Sequence, residues 1–577
     1  MISSLQVWIS ISVLASHVLA QGNPHPLPSP NEWATLNSTV QGRLGVGEPW
    51  PMPCYSQYNG NLVAPDPSRC QFVQDNYFNV HMPRSDAYGG FSAVQFETCM
   101  ATGEKCDLDW TSPSNSLAFS PPQHCRQGSI PPFYVDVRNK NDVQAAYKFA
   151  KKHKLPIAIK NTGHDFQGRS SAPGALGLWM HNLKYINKVD KFVAEGCKGK
   201  GTVALTFGAG EQFQDIYNFA DQNGLQFVGG SDQSVGAAGG WGQGGGHSSM
   251  SPAYGLGADL TLQYKIVTPD GVFRVANACQ NKDLFWALRG GGGGTFGVVL
   301  EATFKALPRE SFRVANINWP PGEENFSKVL DVYLRDAIKL ANNGWGGYMT
   351  PDIGNLILTT PKQNLNKAGK DVKDLIDLTI SLGGNSTLTE IPSYLHWFQG
   401  WVQGTSGVQD SIGLPIAITS RMIPAKNHKT AASRAALKKA ILDSFKHAFF
   451  AQFHITAPYN FKGNPVSDTS VHPAWRDVLY QIILVNTWGW NETLADRQAA
   501  YASSTAAANI LRAATPDGFA YHNEADIHEP NYKTSFWGKN YKRLEQIKKK
   551  YDPEGVLDCW QCIGWKGPNR PQYRCYI

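Results

Sequence analysis

Lys160-Asn161-Thr162-Gly163-His164-Asp165-Phe166-Gln167-Gly168-Arg169-Ser170-Ser171 is a short polar loop with glycines on both sides of one histidine. It follows Pro156-Ile157-Ala158-Ile159, a predicted strand, and a further strand over 130–137 stands upstream. Between the two strands Val143, Ala146, Tyr147 and Ala150 fall at i, i+3, i+4 and i+7, one apolar helical stripe with Asn141 as its cap. The order is strand, helix, strand, glycines. Such a loop exposes peptide N–H groups without bulky side chains and forms a nest for an anion.

The pattern repeats. Residues 203–207 alternate as a strand, and Phe213, Ile216, Tyr217 and Ala220 make a second helical stripe that stops at Gly224. A strand over 225–228 then runs into a glycine tract, 229–246, which holds Gly229, Gly230, Gly239, Gly240, Gly244, Gly245 and Gly246. So many residues without a Cβ are poor helix or strand interior, and their use is to let backbone approach something flat or charged. A hairpin over 260–275, a short helix over 283–289 and a strand over 298–304 follow. Gly292-Gly293-Gly294-Thr295-Phe296-Gly297 matches a dinucleotide GxGxxG by letter, as does the spacing of Gly240, Gly242 and Gly245. That motif needs a strand before it and a helix after it, and around Gly292 the order is reversed, which excludes a Rossmann site there.

The rest of the chain bounds the setting. Its 577 residues are 42% hydrophobic and 17% charged, the composition of a soluble globular protein with room for two to four domains. Residues 1–20 read as a secretory signal, with an apolar core at 7–15 and a small residue, Ala20, at the end, so the mature chain is expected to begin near Gln21 and to be extracellular. No later run approaches the roughly 20 apolar residues of a membrane span. Ten cysteines in an exported chain point to disulfides of undetermined pairing, and this reading is preferred to a metal or redox site at Cys559-Trp560-Gln561-Cys562 as well. Asn37, Asn325, Asn385 and Asn491 open glycosylation sequons. The net charge of +7 is spread thinly, and the Lys-rich run over 542–550 reads as a solvated helix face, not a nucleic-acid patch.

The expected organisation is a signal peptide (1–20), a disulfide-rich lead-in (21–127) with little chemistry of its own, a cofactor domain (128–309), an α+β substrate domain (310–515) and a closing segment (516–577). In the substrate domain 431–450 and 494–512 read as helices and 478–485 as a strand, and the tail from Gly518 reads as a short aromatic strand before its Lys-rich helix.

Six motifs then resemble one family in order. They are Thr162-Gly163-His164 with Gly168-Arg169-Ser170, the tract around Val235-Gly236, Gly244-Gly245-Gly246-His247-Ser248, Tyr254-Gly255-Leu256-Gly257-Ala258-Asp259, Asp283-Leu284-Phe285-Trp286-Ala287-Leu288-Arg289, and the tail at Tyr521-His522-Asn523-Glu524 and Asn540-Tyr541. Together they are similar to the FAD-linked oxidases of the vanillyl-alcohol-oxidase (VAO) type, in particular the secreted fungal branch like berberine bridge enzyme. The resemblance implies an α+β fold: a two-subdomain PCMH-type FAD-binding domain, completed by the tail, and a substrate domain of antiparallel sheet and helices.

It also implies FAD held by Asn161, Thr162, Gly163, His164, Asp165, Gly168, Ser170, Gly229, Gly230, Gly239, Gly240, Gly244, Gly245 and Gly246 of the tract, Ser234, Val235, Val299, Asn523 and Asn540, with His164 bonded to the flavin 8α carbon. A neutral imidazole nitrogen is a suitable nucleophile for that bond. Some members make a second bond from a cysteine to flavin C6. Asp232 stands at that position and no cysteine lies in the tract, so a single covalent bond is expected. Tyr521 is the preferred catalytic base, with Asp232 and His247 as the other polar candidates. The expected activity is oxidation of a small organic substrate, an alcohol, carbohydrate or specialised metabolite, with reduction of dioxygen to hydrogen peroxide, by a monomer without metal, nucleic acid or membrane. The rival readings are a flavin dehydrogenase or cyclising enzyme and, from another class, a secreted glycan-binding protein suggested by 17 Trp and the sequons.

Overall fold

The computed structural model describes residues 28–77, 81–403, 412–459 and 461–577; the expected signal peptide lies outside them. The fold is α+β and is built on three sheets. In the first, Phe133–Asp136 and Ile157–Lys160 run parallel to Leu176–Trp179, which lies between them, and Leu44–Val46 of the lead-in adds an antiparallel edge. The helix Lys140–His153 covers this sheet with the predicted stripe, although its N-cap is Asn139, whose side chain accepts from Asn141 N.

The second sheet is antiparallel, with Phe273–Asn277, Thr261–Val267, Val298–Lys305, Thr202–Gly208 and Ile186–Phe192 in that order. The second strand–helix–strand is therefore no parallel crossover. After the helix Phe213–Gln222 the strand Leu225–Gln226 stops two residues short of the expected end and pairs antiparallel with Leu307–Pro308 outside the main sheet. One core joins these layers: Val135 and Leu178, Phe207 and Phe304, and Leu544, Ile547 and Tyr551 of the tail helix Tyr541–Tyr551.

The third sheet has seven antiparallel strands, in the order Asn385–Ile391, Phe312–Asn318, Asn355–Thr360, Gly346–Thr350, Phe450–Ile455, Val478–Asn486 and Ala417–Pro424. Helices Glu323–Asn342, Leu365–Ser381, Ala431–Phe445 and Leu494–Ala514 bury their apolar stripes on one face through Leu330, Val372, Leu437 and Leu511. The helix expected over 431–450 ends at Phe445 because Phe450 already belongs to a strand. Side chains alternate across a strand, so Ile482 and Leu484 meet the helices while Ile483 and Val485 face the other way, as do Gln452 and His454 against Phe453 and Ile455.

Two expectations are corrected. The tail from Gly518 to Asn531 forms no strand and is fixed by side-chain bonds instead. The lead-in is no appendage, since it supplies a strand to the first sheet and Trp110 to the cavity described below. All ten cysteines pair, as Cys54–Cys70, Cys99–Cys575, Cys106–Cys125, Cys197–Cys279 and Cys559–Cys562, and the second of these ties the lead-in to the last residues of the chain.

Candidate active site

The loop that follows Ile157–Lys160 is anchored from below. Lys160 is fully buried, and its ammonium donates to the carbonyls of Ala87, Tyr88 and Gly90 at 2.8, 2.7 and 2.6 Å. Gly163 takes φ +95°, and a Cβ there would stand 2.9 Å from Gly90 O, so the loop lies directly on the lead-in. The carboxylate of Asp165 is used inside the loop, accepting from Gln167 N at 3.0 Å and from Ser170 N and Oγ at 2.5 and 2.7 Å. Gly168, at φ +69°, packs on Phe96 and Tyr576.

His164 emerges from this frame. Its Nε2 is 2.6 Å from Ser234 Oγ and 3.3 Å from Asp232 Oδ1, and the same Asp232 oxygen accepts from Ser234 N and Oγ at 2.8 and 2.9 Å. Asp232 is 1% exposed. One oxygen of its carboxylate engages His164 and Ser234, which places it to orient the imidazole.

The glycine tract closes over Asn161, whose amide donates to Ala209 O at 2.7 Å. A Cβ on Gly236 or Gly239 would fall 2.5 Å from Asn161 Nδ2, so the tract reaches this distance only without side chains. A Cβ on Gly240 would meet no protein atom within 4 Å and would enter the cavity instead. Gly229 packs on Tyr217 and Phe213, Gly244 backs Asn523, and Gly246 turns at φ +75° against Trp241. Gly245, at φ +136°, belongs to the same turn.

A cavity of about 650 Å³ runs between these loops, the third sheet and the tail. Asn161, Thr162, Gly163, His164, Asp165, Ser170, Gly230, Asp232, Val235, Gly239, Gly240, Val299, Tyr521 and Asn523 line it. Gly168, Gly229, Ser234, Gly244, Gly245 and Gly246 stand behind that lining, and Asn540 lies off it, donating to Val471 O at 2.8 Å to anchor the tail.

Sequence reasoning missed several lining residues. Gly293 and Gly294 line the cavity although their motif is not a Rossmann one, and a Cβ on Gly293 would stand 2.9 Å from Gly240 Cα. Trp110 comes from the lead-in, and Gln452, His454 and a set of aliphatic residues come from the third sheet. Glu524 lies inside the tail motif and drew no role.

Glu524 Oε1 is 3.0 Å from His247 Nε2, and Gln481 Nε2 donates to its other oxygen. Burial opposes the charge of Glu524, but the charge and hydrogen bond of His247, with Gln481, outweigh it and hold the carboxyl down to about 2. Burial pulls His454 down to about 4 against the attraction of Glu524. Burial, then the charge of Glu524, pushes the Tyr521 phenol above its usual value. Asn523 Nδ2 links that phenol oxygen, at 2.7 Å, to Gly240 O, at 2.9 Å.

A glycine cradle with an oriented histidine at its edge suits a long cofactor carrying a flat ring. The comparisons agree: residues 131–277 match the model of an FAD binding domain, and 520–564 match the berberine and berberine-like model. The FAD-linked oxidoreductase ffsJ of Aspergillus flavipes is 34% identical over 97% of this chain and 96% of its own length. The chain belongs to the FAD-linked oxidoreductases of the VAO and berberine-bridge type. The FAD-linked oxidoreductase cheF of Chaetomium globosum is 36% identical over 93% of this chain and 86% of its own. The crystal structure of the VAO-type flavoprotein MtVAO615 from Myceliophthora thermophila C1 superposes with a TM-score of 0.81 at 30% identity, covering 94% of this chain and 96% of that one. These likenesses give the glycan-binding alternative no support.

Proposed function

We propose that the protein is an exported, monocovalent FAD-dependent oxidase that oxidises an alcohol or amine group on a largely apolar small molecule and returns the electrons to dioxygen as hydrogen peroxide. The observation that carries this reading is the mixed lining of one cavity: glycines and His164 from the two loops, together with Leu414, Ile416, Ile418 and Ile483, an apolar cluster extended by Trp110 and by Phe166 of the His164 loop. An oligosaccharide would leave its hydroxyls without partners on such a surface, at a cost of a few kcal/mol for each one stranded. A specialised metabolite with one polar group fits it.

Bound FAD supplies a hydride acceptor that dioxygen can reoxidise. The chain's residues hold and orient. Asn161, Gly163, Gly239 and Gly240 line the cradle, and the Asp232–Ser234 pair places the His164 proton on Nε2, which makes Nδ1 the nucleophilic nitrogen for attachment. Five disulfides accord with export, as do the exposed sequon residues Asn385 and Asn491. Among the described residues no helix is long and apolar enough to cross a membrane.

The test is a visible spectrum of the denatured, desalted protein, which is expected to retain flavin absorbance. His164→Ala should release its flavin on acid precipitation; a flavin that stays bound refutes the attachment. Turnover in air should give peroxide, and dye reduction without peroxide would favour the dehydrogenase reading.

A further inference from the structure

One polar cluster in the cavity serves neither the cofactor cradle nor the apolar wall. His247, from the turn after the glycine tract, Glu524, from the tail, and His454, from the strand Phe450–Ile455, meet there, and all three line the cavity. We infer that His247 is the catalytic proton acceptor and Glu524 its positioning residue, a dyad that takes the place of Tyr521. This rests on reading the cavity as an FAD-dependent oxidation site.

The argument is one of donors and acceptors. Glu524, held down to about 2, is a carboxylate at any ordinary pH and can only accept. The 3.0 Å contact between its Oε1 and His247 Nε2 therefore requires an imidazole proton on Nε2, so that in the neutral ring the lone pair is on Nδ1. His247 Nδ1 is buried and has no hydrogen-bond partner among the described residues, and the residue is 8% exposed. The second carboxylate oxygen of Glu524 is pinned by Gln481, from the strand Val478–Asn486, so the carboxylate cannot turn away.

Tyr521 is the poorer base. Burial and the nearby Glu524 charge keep its phenol protonated, and its oxygen already accepts from Asn523. Its ring stands edge-on to that of His247 at 5.3 Å, which places it to steady a substrate oxygen by donating a proton bond. The titratable groups facing His247 are Glu524, His454 and Tyr521. His454 is neutral above about 4, and Tyr521 is a neutral phenol. Among these described neighbours a protonated His247 thus has one carboxylate beside it and no cation. The reaction balances: the substrate O–H or N–H bond breaks, its proton goes to His247 Nδ1, its electron pair becomes the second bond of C=O or C=N, and the hydride leaves the same carbon for FAD. His247 keeps its Nε2 hydrogen bond to Glu524 throughout and returns the acquired proton to solvent.

The donor atoms of His247, His454 and Glu524 lie within 4.8 Å of one another, so a divalent cation is the rival occupant. Three measurements on the holoenzyme decide. Long-range proton–nitrogen spectra of protein labelled with nitrogen-15 histidine, assigned with His247→Gln, should show a pyrrole-like Nε2 and a pyridine-like Nδ1 at pH 8 in the wild type. In Glu524→Gln this tautomer preference should be lost, and in Glu524→Asp retained. The reverse tautomer in the wild type, or no change in Glu524→Gln, overturns the dyad. Stoichiometric metal in the purified protein by elemental analysis overturns it too.

With vanillyl alcohol and a series of aryl and long-chain alcohols as probes, His247→Gly should lower kcat/KM by about 100-fold or more, partly rescued by added imidazole. An unchanged kcat/KM in His247→Gly, or a loss that added imidazole does not rescue, overturns the assignment. A colourless wild-type protein would sink the flavin reading, whereas a flavin-loaded protein with the wrong tautomer sinks the dyad alone.

Discussion

The two walls of the cavity are built by opposite means. On the cofactor side the lining is mostly backbone: Gly236 and Gly239 press on Asn161 and Gly293 on Gly240, while the polar side chains of this region, Lys160 and Asp165 among them, hold the loops in place. On the substrate side the lining is side chain, set on strands whose alternate residues fix the helical layer behind, as Ile483 and Val485 alternate with Ile482 and Leu484. A wall made of backbone is defined by what a Cβ would strike and tolerates little change. A wall made of side chains on a sheet held from the other face can be repainted without moving the scaffold, which suits a fold that keeps one cofactor and accepts different substrates.

The largest effect should come from the anchor under the cofactor wall. Lys160→Met deletes an ammonium that satisfies three buried carbonyls, and stranding those acceptors should cost on the order of 3 kcal/mol or more. The His164 loop would lose its seat on the lead-in, so both melting temperature and bound flavin should fall. A stable variant with full flavin would break the comparison, because the cofactor wall would then not depend on its anchor.

Much of the cofactor wall was legible in the sequence, and little of the substrate wall was. Loop, helix stripe and glycine tract are local signals, each readable within about twenty residues, and Asn161, His164 and Gly239 were found that way. The strand Val478–Asn486 is covered on both faces, so its apolar run hides the alternation that would have marked Ile483 as cavity-facing. Glu524 was visible in its motif, but its partners His247 and Gln481 lie 277 and 43 residues away, and only the tertiary fold brings turn, tail and strand together. Trp110 sat in a segment read as mere staple, since neither its edge strand nor its disulfide to Cys575 depends on a local pattern. Asp232 was expected in the site by alignment to the missing cysteine and lines the cavity beside His164, whereas its hydrogen bonds to Ser234 could be known only from the fold.

The third-sheet side should be acid-sensitive, as should the tail behind the cofactor wall, where burial pulls His522 down to about 3. Burial holds His428 and His454 of the third-sheet layer at about 4, and His472, stacked on Phe519, likewise at about 4, against an ordinary value of 6.5. A folded value below the unfolded one means that the unfolded chain binds the proton more tightly. The stability these neutral rings allow is therefore fully present above pH 6.5 and is lost as pH falls toward 4. Thermal melts between pH 7 and pH 4 should show a steep decline. His428→Gln, which removes one of the titrating rings, should flatten it, and an unchanged slope in that variant would remove His428 from the account.

The smallest effect is the most discriminating between the walls. Ile483 is 7% exposed, lines the cavity and packs with Leu414, Ile416 and Ile418. Ile483→Val removes one methylene from the lining, which should cost about 1 kcal/mol of stability. For an apolar probe in contact with that methylene, about 0.8 kcal/mol of burial is lost, equivalent to about a fourfold rise in KM at unchanged kcat. Flavin content should stay at the wild-type level, because Ile483 belongs to a strand of the third sheet and not to the glycine loops. A variant that loses flavin and keeps its KM would place Ile483 against the cofactor, and the division of the cavity into a backbone wall for FAD and a side-chain wall for substrate would have to be redrawn around the strand Val478–Asn486.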